Sequence, residues 1–468
     1  MSTSNLAESA RIELLRPEQA TGDLLRARIG DIPPDGRTFL LSVPAPLAAA
    51  EALLAAFADS DAVFWAPGRG EAFAGIGSSE LLTANGRDRF ASIEAQALSL
   101  FERLVPLGAI EESPAPRLFG GFAFQAGRAA REPWQAFDEA RFVLPRLSYT
   151  RQGDRAWLSV AAKGSDLANE TARDSLSADI DRAIVALGRP LEARPRDSVT
   201  ARPGRIDQEA VFSNLVDAIR EAIHAGRFEK IVAARRVVLE LSSAPDPAVV
   251  LQRLASEAPE CARFALSVAG TTFLGATPER LVEKRGNRVE TEAVAGSVRA
   301  QSPDLGAHLL ESEKDLSEHA LVVRELLRAL EPLSKDVEHR GPDLYRLRHV
   351  LHLRTSIRAT LREPLHVLKL VERLHPTPAV GGVPTAASLS WIAEREPDER
   401  GYYAGPIGWF DARGDGDFAV ALRSGVLKGN TAHLYVGAGI VRDSEAASEY
   451  AETRWKLAAL LGALGVTT

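Results

Sequence analysis

Arg263-Phe-Ala-Leu-Ser-Val268-Ala-Gly-Thr271-Thr-Phe-Leu-Gly275 holds two strand-like runs with a two-residue break between them, and a third run follows at Arg288 to Ala295. Strands that follow one another this closely leave no room for a crossover helix, which a parallel pairing needs. Reading outward, the neighbourhood repeats the theme. Upstream, Val211, Leu215, Ala218, Ile219, Ala222 and Ile223 recur at helical spacing and stop near Gly226. Phe228 to Leu241 then reads as a strand. Pro247 to Ser256 reads as a helix whose first turn tolerates the proline. Downstream, a long helix is expected over Leu309 to Leu330. Strands follow at Arg346 to Ile357, Gly405 to Phe410, Phe418 to Val426 and Ala432 to Ile440. A last helix starts at Asp443 or Ser444 and reaches about Leu461. Clustered strands with turns between them, rather than strict strand–helix alternation, predict an α+β fold with largely antiparallel sheets.

The first half reads as a mixed scaffold. It has helical stretches near Leu47 to Phe57 and Ser92 to Leu104 and a strand at Ala156 to Ala162. Arg117-Leu-Phe-Gly-Gly-Phe-Ala-Phe124 pairs glycines with aromatics, as in a packed strand that a second backbone approaches closely. The polar stretch Arg194 to Arg205, with two prolines and a glycine, reads as a surface connection between the halves.

Composition narrows the function classes. The 468 residues are 45% hydrophobic and 25% charged, ample for a large core. Lys plus Arg number 56 against 63 Asp plus Glu, a net charge of −7 without a basic cluster, so nucleic-acid binding is not expected. The single cysteine, Cys261, excludes an intrachain disulfide and a cysteine-built zinc site. Met1 to Gly30 mixes charges among its apolar residues, unlike a signal peptide, and no stretch has the length of a membrane helix. A cytoplasmic protein is the expectation.

The most informative local pattern is a matched spacing. Glu311, Asp315, Glu318 and Val322 follow at steps of 4, 3 and 4, which puts them within about 60° on one helical face. Glu445, Glu449, Glu452 and Lys456 repeat the pattern on the last helix. Like charges at this spacing repel by a few tenths of a kcal/mol. A cation between the two rows would offset that, and an all-oxygen donor set suits Mg2+. Acidic helix faces are common, and from spacing alone a solvated face is the more ordinary reading.

Other single residues carry paired readings. Lys230, in Phe228-Glu-Lys-Ile-Val232, shares a strand face with Phe228 and Val232. It is either a desolvated base or an edge lysine reaching solvent. Glu279 ends the apolar run Phe273-Leu-Gly-Ala-Thr-Pro-Glu279, as a protonated general acid or as a helix N-terminal charge. Arg423 interrupts Phe418-Ala-Val-Ala-Leu-Arg-Ser-Gly425 and calls for an anion, either a ligand carboxylate or a structural partner. Gly437-Ala-Gly439 lacks the third glycine of a dinucleotide fingerprint, and there is no P-loop, HExxH or Gly-x-Ser-x-Gly. His349 and His352, three apart in one expected strand, face opposite sides and make no metal pair.

Taken in order, Phe228-Glu-Lys-Ile-Val-Ala-Ala-Arg, Phe273-Leu-Gly-Ala-Thr-Pro-Glu, Glu292-Ala-Val-Ala-Gly-Ser and Ser312-Glu-Lys-Asp-Leu-Ser-Glu-His form one set of motifs. His375-Pro-Thr-Pro-Ala-Val-Gly-Gly, Tyr403-Ala-Gly-Pro-Ile-Gly, Gly437-Ala-Gly-Ile-Val and Ser448-Glu-Tyr-Ala-Glu-Thr-Arg-Trp-Lys456 complete it. Together they resemble the chorismate-utilising enzymes, most closely isochorismate synthases. The resemblance implies a single large sandwich of two mainly antiparallel sheets flanked by helices. Residues 1–200 would be an N-terminal scaffold part of that fold, and residues 206–465 the chorismate-binding catalytic region.

The resemblance also implies roles. Glu318 and Glu452 would ligate Mg2+ directly, with Asp315 and Glu449 in support through water, leaving Glu311 and Glu445 as surface charge. Arg423, Lys456, Gly437, Gly296, His375, Thr355 and Tyr403 would bind substrate. Lys230 would take a proton from the water that attacks C2 of chorismate, and Glu279 would donate to the departing C4 hydroxyl. Ammonia-using relatives typically carry Gln where Lys230 stands, so no glutaminase partner is expected. Salicylate synthases, the main alternative, typically read His-Leu-Gly-Ser where this chain has His352-Leu-Arg-Thr-Ser356, and Arg354 departs from the usual small or apolar residue. A non-catalytic chorismate-binding subunit is the remaining alternative. The resemblance covers enzymes of menaquinone, siderophore and salicylate synthesis alike.

Overall fold

The computed structural model describes residues 17–68, 70–107, 113–191, 200–203, 208–300 and 304–466. Two large sheets dominate, one of 13 strands and one of nine. In spatial order the larger runs Ala201–Pro203, Lys230–Leu241, Thr431–Ile440, Ser424–Lys428, Thr271–Thr277, Ala262–Val268, Ala62–Ala66, Glu71–Ile76, Leu147–Gln152, Arg155–Lys163, Thr38–Pro44 and Leu104–Pro106. The short Gly382–Val383 pairs beside Lys230–Leu241. The smaller runs Ser334–Arg346, Val350–Leu361, Arg288–Arg299, Arg280–Arg285, Gly416–Val420, Pro406–Asp411, Arg117–Phe122, Ala140–Leu144 and Glu80–Ala84. Among the described strands only Thr38–Pro44 with Leu104–Pro106 is parallel. The antiparallel expectation and the opening hairpin, Val268 opposite Thr271, both hold.

Alternation along the strands builds the layers. In Ala62–Ala66, Val63 and Trp65 enter the core shared by the two sheets. Ala62, Phe64 and Ala66 face a second core, with residues of the Glu51–Ala56, Glu170–Leu187 and Pro247–Glu257 helices. Phe73 of the larger sheet stacks on Phe119 of the smaller, their ring centroids 3.5 Å apart. Both sheets mix strands from the two halves of the chain: Arg263 pairs with Ala66, and Trp409 with Phe119. Among the described residues no helix is long and apolar enough to cross a membrane.

Four expected elements differ in instructive ways. The expected 309–330 helix is two helices, Asp304–Glu311 and Glu313–Leu330. Ser312 leaves helical geometry (φ −70°, ψ 108°) and its hydroxyl accepts the Asp315 amide as an N-cap. The last helix is Ala446–Leu464, so Glu445 precedes it. The expected 346–357 strand is shifted to Val350–Leu361, and it pairs through a tight turn with Ser334–Arg346, a strand that was not expected. The expected 418–426 strand divides between the sheets: Gly416–Val420 belongs to the smaller and Ser424–Lys428 to the larger, with Arg423 at the corner in the left-handed region (φ 48°). The connection expected at Arg194 to Arg205 lies mostly outside the described residues, although Ala201–Pro203 pairs with the end of Lys230–Leu241.

Short strands at Thr38–Pro44, Ala62–Ala66, Glu71–Ile76 and Ala140–Leu144 were not expected. A run such as Ala62-Val-Phe-Trp-Ala66 is buried on both faces, so it carries no alternation to read.

Candidate active site

Strand corners aim the key side chains. The chain passes from Thr271–Thr277 in the larger sheet to Arg280–Arg285 in the smaller through Pro278 and Glu279. The Arg423 corner lies beside it: the Ala276 amide donates to the Arg423 carbonyl (3.2 Å) and the Val420 amide to the Glu279 carbonyl (3.1 Å). Strands that change sheets turn sharply, which frees side chains from the sheet faces. Glu279 and Arg423 therefore both line a cleft of about 360 Å³, within the roughly 300–1,000 Å³ typical of small-molecule sites. Asp315 and Glu318 enter this cleft from one helix, and Glu449, Glu452 and Lys456 from another.

Gly296 makes the near wall. The pairing of Arg288–Arg299 with Val350–Leu361 shifts register between Ala295 and Ser297, and Gly296 takes φ +76°. A Cβ there would meet the Asp315 Cβ at 3.1 Å. Gly439 has no spare room either, since a Cβ would lie 2.3 Å from Glu318 Oε1 and 2.8 Å from Lys230 Cε.

Lys230 is fully buried, which removes the solvent-reaching alternative. Its Nζ lies 2.8 Å from Glu318 Oε1, close enough for an ion pair but without hydrogen-bond alignment. Glu279 begins no helix, because Arg280 starts a strand. Its carboxyl is lifted from 4.5 to about 8, chiefly by burial and next by the Glu292 carboxylate. Lys230, the Thr377 hydroxyl (3.4 Å) and Lys456 pull in the other direction. A carboxylic acid that keeps its proton near neutrality is a competent general acid.

The acidic rows meet ammonium partners. Glu449 pairs with Lys314 at 3.0 Å and Glu452 with Lys456 at 2.5 Å. The Lys456 Nζ also donates to the Gly437 carbonyl (3.1 Å). Asp315 accepts from the Ser312 hydroxyl at 2.6 Å. Burial and neighbouring carboxylates raise Asp315 and Glu449 above their ordinary values. Burial pulls Lys314 down, yet Glu449, Glu318 and Asp315 together hold it high. Glu311 and Glu445 are exposed and outside the cleft, because the Ser312 break and the later helix start take them off the two rows.

Among the described residues no three His, Cys, Asp or Glu side chains converge as in a finished metal cage. The donor set is instead four carboxylates lining one cleft, whose repulsion the nearby lysines relieve only in part, since Asp315 and Glu449 stay raised. That fits a hard divalent cation sharing its coordination with water and an anionic ligand.

Among the described residues Arg423 meets no carboxylate at hydrogen-bond distance; its Nη2 donates to His352 Nε2 at 3.0 Å. That bond assigns the His352 proton to Nδ1, which faces the Ser297 hydroxyl (2.9 Å) and the Gly296 carbonyl (3.2 Å). Burial, then Arg423 and Lys456, hold His352 well below its usual value, so it is a neutral acceptor fixing the arginine. Sequence reasoning excluded His352 from metal binding but missed this role; its spacing from Arg423 carries no local signal. His349 instead approaches Glu257, so the two histidines form no pair. Tyr403 lines the cleft and stacks on Tyr435, with centroids 5.5 Å apart.

Two expected binding residues stand outside the cleft lining. Thr355 bonds His319 Nε2 at 2.7 Å, since strand alternation points it at the Glu313–Leu330 helix. His375 is buried against Phe124, with Nε2 2.9 Å from the Phe124 carbonyl, and burial lowers it to about 3. Both brace the walls rather than face the cleft. Arg400, also unanticipated, is buried beside Glu396 and donates to the Val232 and Val380 carbonyls (2.9 and 2.7 Å), tying the wall segments together.

Known proteins extend this picture. A family model described as chorismate binding enzyme matches residues 35–465. The salicylate biosynthesis isochorismate synthase of Pseudomonas aeruginosa is 38% identical over 84% of this chain and 83% of its own length. The isochorismate synthase MenF of Bacillus subtilis is 36% identical over 75% of each. Among solved structures, the menaquinone-specific isochorismate synthase MenF of Escherichia coli superposes with a TM-score of 0.77 at 26% identity, covering 96% of this chain and all (100%) of that one. Matched along nearly its whole described length, this chain belongs to the chorismate-binding enzyme family.

Proposed function

We propose that this protein is an isochorismate synthase, which adds water at C2 of chorismate and expels the C4 hydroxyl as the ring double bonds shift. The observation that carries the reading is a buried, proton-holding carboxyl, Glu279, in the wall of a cleft edged by two acidic helices, with a fully buried amine, Lys230, directly behind the cleft-lining Glu318 and Gly439. Attack and departure need a base and an acid at once, and groups with such different environments supply both. Lys230 takes a proton from the attacking water. Glu279 gives its proton to the departing oxygen, which leaves as water. Atoms balance as an isomerisation, with one proton left on Lys230 and one owed to Glu279.

Arg423, oriented by His352, and Lys456, anchored on the Gly437 carbonyl, supply cations for the substrate carboxylates. Glu318 and Glu452 would hold Mg2+ directly, with Asp315 and Glu449 behind them. The ion, when bound, neutralises a substrate carboxylate and the acidic rows. Glu318 then stands between the metal position and the Lys230 Nζ, 2.8 Å away, and the metal would compete with Lys314 for Glu449 and with Lys456 for Glu452.

Incubation with chorismate and Mg2+, followed by chromatography, tests the reading. Isochorismate alone is expected, and EDTA should stop its formation. Salicylate with pyruvate would instead identify a salicylate synthase, and unchanged chorismate would identify a binding subunit.

A further inference from the structure

Glu279 also walls a second cavity, of about 70 Å³, which shares only Pro278 and Glu279 with the cleft. Its other walls include Ala262, Glu292, Tyr345, Arg354 and Asp417. We propose that this cavity carries the proton that recharges Glu279 between turnovers, with Glu292 as the positioning residue beside it. The proposal rests on Glu279 serving as the acid of the reaction above.

The need arises from proton accounting. Each turnover leaves Lys230 with an extra proton, which it returns to bulk water once product has left, and Glu279 without one, which must be supplied from water in exchange. A bound ligand fills the cleft between them, so the cleft is a poor path while product remains. The second cavity has room for a short file of waters. Its lining is polar enough to hold them, with Glu292, Arg354 and Asp417. Burial lifts Asp417 to about 6, a value suited to passing protons near neutrality. The Arg354 side chain, 36% exposed, connects the cavity to solvent.

Glu292 is held in place on both sides. Its Oε1 accepts the Arg280 amide at 3.0 Å, and its Oε2 stands 4.0 Å from Arg354 Nη1. Arg354 in turn lies over the Tyr345 ring at 4.4 Å. This gives a place to the arginine that departs from the related sequences: it caps the mouth of the cavity. The charged groups around Glu279 are therefore Glu292 on its own sheet, with Arg280, Arg354, Glu260 and Asp417 around the small cavity. Lys456, which lines the cleft, and Lys230 and the Thr377 hydroxyl, which lie behind its lining, act on it from the other side. Of these, Glu292 acts most strongly to keep the proton on Glu279.

Two variants test this through readouts that a purely structural role would not move. Glu292→Gln keeps an acceptor for the Arg280 amide but removes the charge. The alkaline limb of kcat/KM should move to lower pH by about one unit, with KM for chorismate unchanged. Ala262→Leu fills the cavity. The first turnover, measured by rapid quench, should keep its wild-type rate, because Glu279 starts protonated. Steady-state kcat should fall about tenfold, with a larger solvent deuterium isotope effect. The proposal is overturned if Glu292→Gln leaves the alkaline limb in place, or if Ala262→Leu slows the first turnover as much as the steady state. If Ala262→Leu does not fold, the Glu292→Gln profile decides alone. Wild-type protein that makes no isochorismate, or Glu279→Gln that still does, would instead sink the underlying reading.

Discussion

At the scale of single residues, Glu279 links stability and catalysis through one proton. Its carboxyl rises from 4.5 to about 8 in the folded protein, chiefly through burial. The folded state therefore holds the proton more tightly than the unfolded chain. Stability from this group is complete below 4.5 and is lost as pH rises through about 8. Glu279→Gln cannot ionise, so its Tm should gain on that of the wild type as pH increases across this window. Parallel Tm curves would refute the assignment. For activity, Lys230→Ala and Glu279→Ala should each abolish isochorismate formation while Mg2+ binding, followed by calorimetry, persists. Wild-type-like turnover in either would remove that residue from the mechanism.

At the scale of elements, two helices matter more as carriers of charge than as packing units. Val322 and Leu326 anchor one in the core, and Leu457 and Leu460 the other, so the acidic faces cannot rotate away from the cleft. Glu318→Gln and Glu452→Gln should each weaken Mg2+ binding by about tenfold or more, or about 1.4 kcal/mol. Glu311→Gln and Glu445→Gln, at exposed positions off the rows, should leave it unchanged. Equal effects from all four would return the rows to ordinary acidic surface. Ser312 starts the first helix: losing its cap in Ser312→Ala should cost about 1 kcal/mol in denaturant unfolding. The same change removes a hydrogen bond to Asp315, so metal affinity should fall with it.

At the scale of the whole molecule, the sheets ignore the midpoint of the chain. Ala262–Val268 is paired on one side by Thr271–Thr277 and on the other by Ala62–Ala66, and Pro406–Asp411 is paired by Arg117–Phe122. A fragment of residues 206–465 would expose both strand edges and the core around Trp409 that Phe119 covers in the whole chain. It should be insoluble or lack a cooperative unfolding transition when expressed alone. Soluble, cooperatively folding fragment would show that the first half is dispensable for the fold.

Much was legible locally. Most strands of the second half, though not Arg280–Arg285 or Ser334–Arg346, the antiparallel preference and the helical carboxylate spacings follow from short-range periodicity, which steric geometry imposes on any chain. The motifs with Lys230, Glu279, Glu318 and Glu452 could be read for the same reason, since each is a short contiguous run. What local pattern could not carry was long-range. The division of 416–428 between two sheets, the His352–Arg423 bond, the withdrawal of Thr355 and His375 from the cleft and the second cavity at Glu279 all depend on segments far apart in sequence. Burial and electrostatics are properties of that assembled neighbourhood. The sequence by itself determined which acids and bases are present; only the tertiary structure decided which of them keeps its proton, because desolvation and the field of distant charges exist only once the sheets have closed around them.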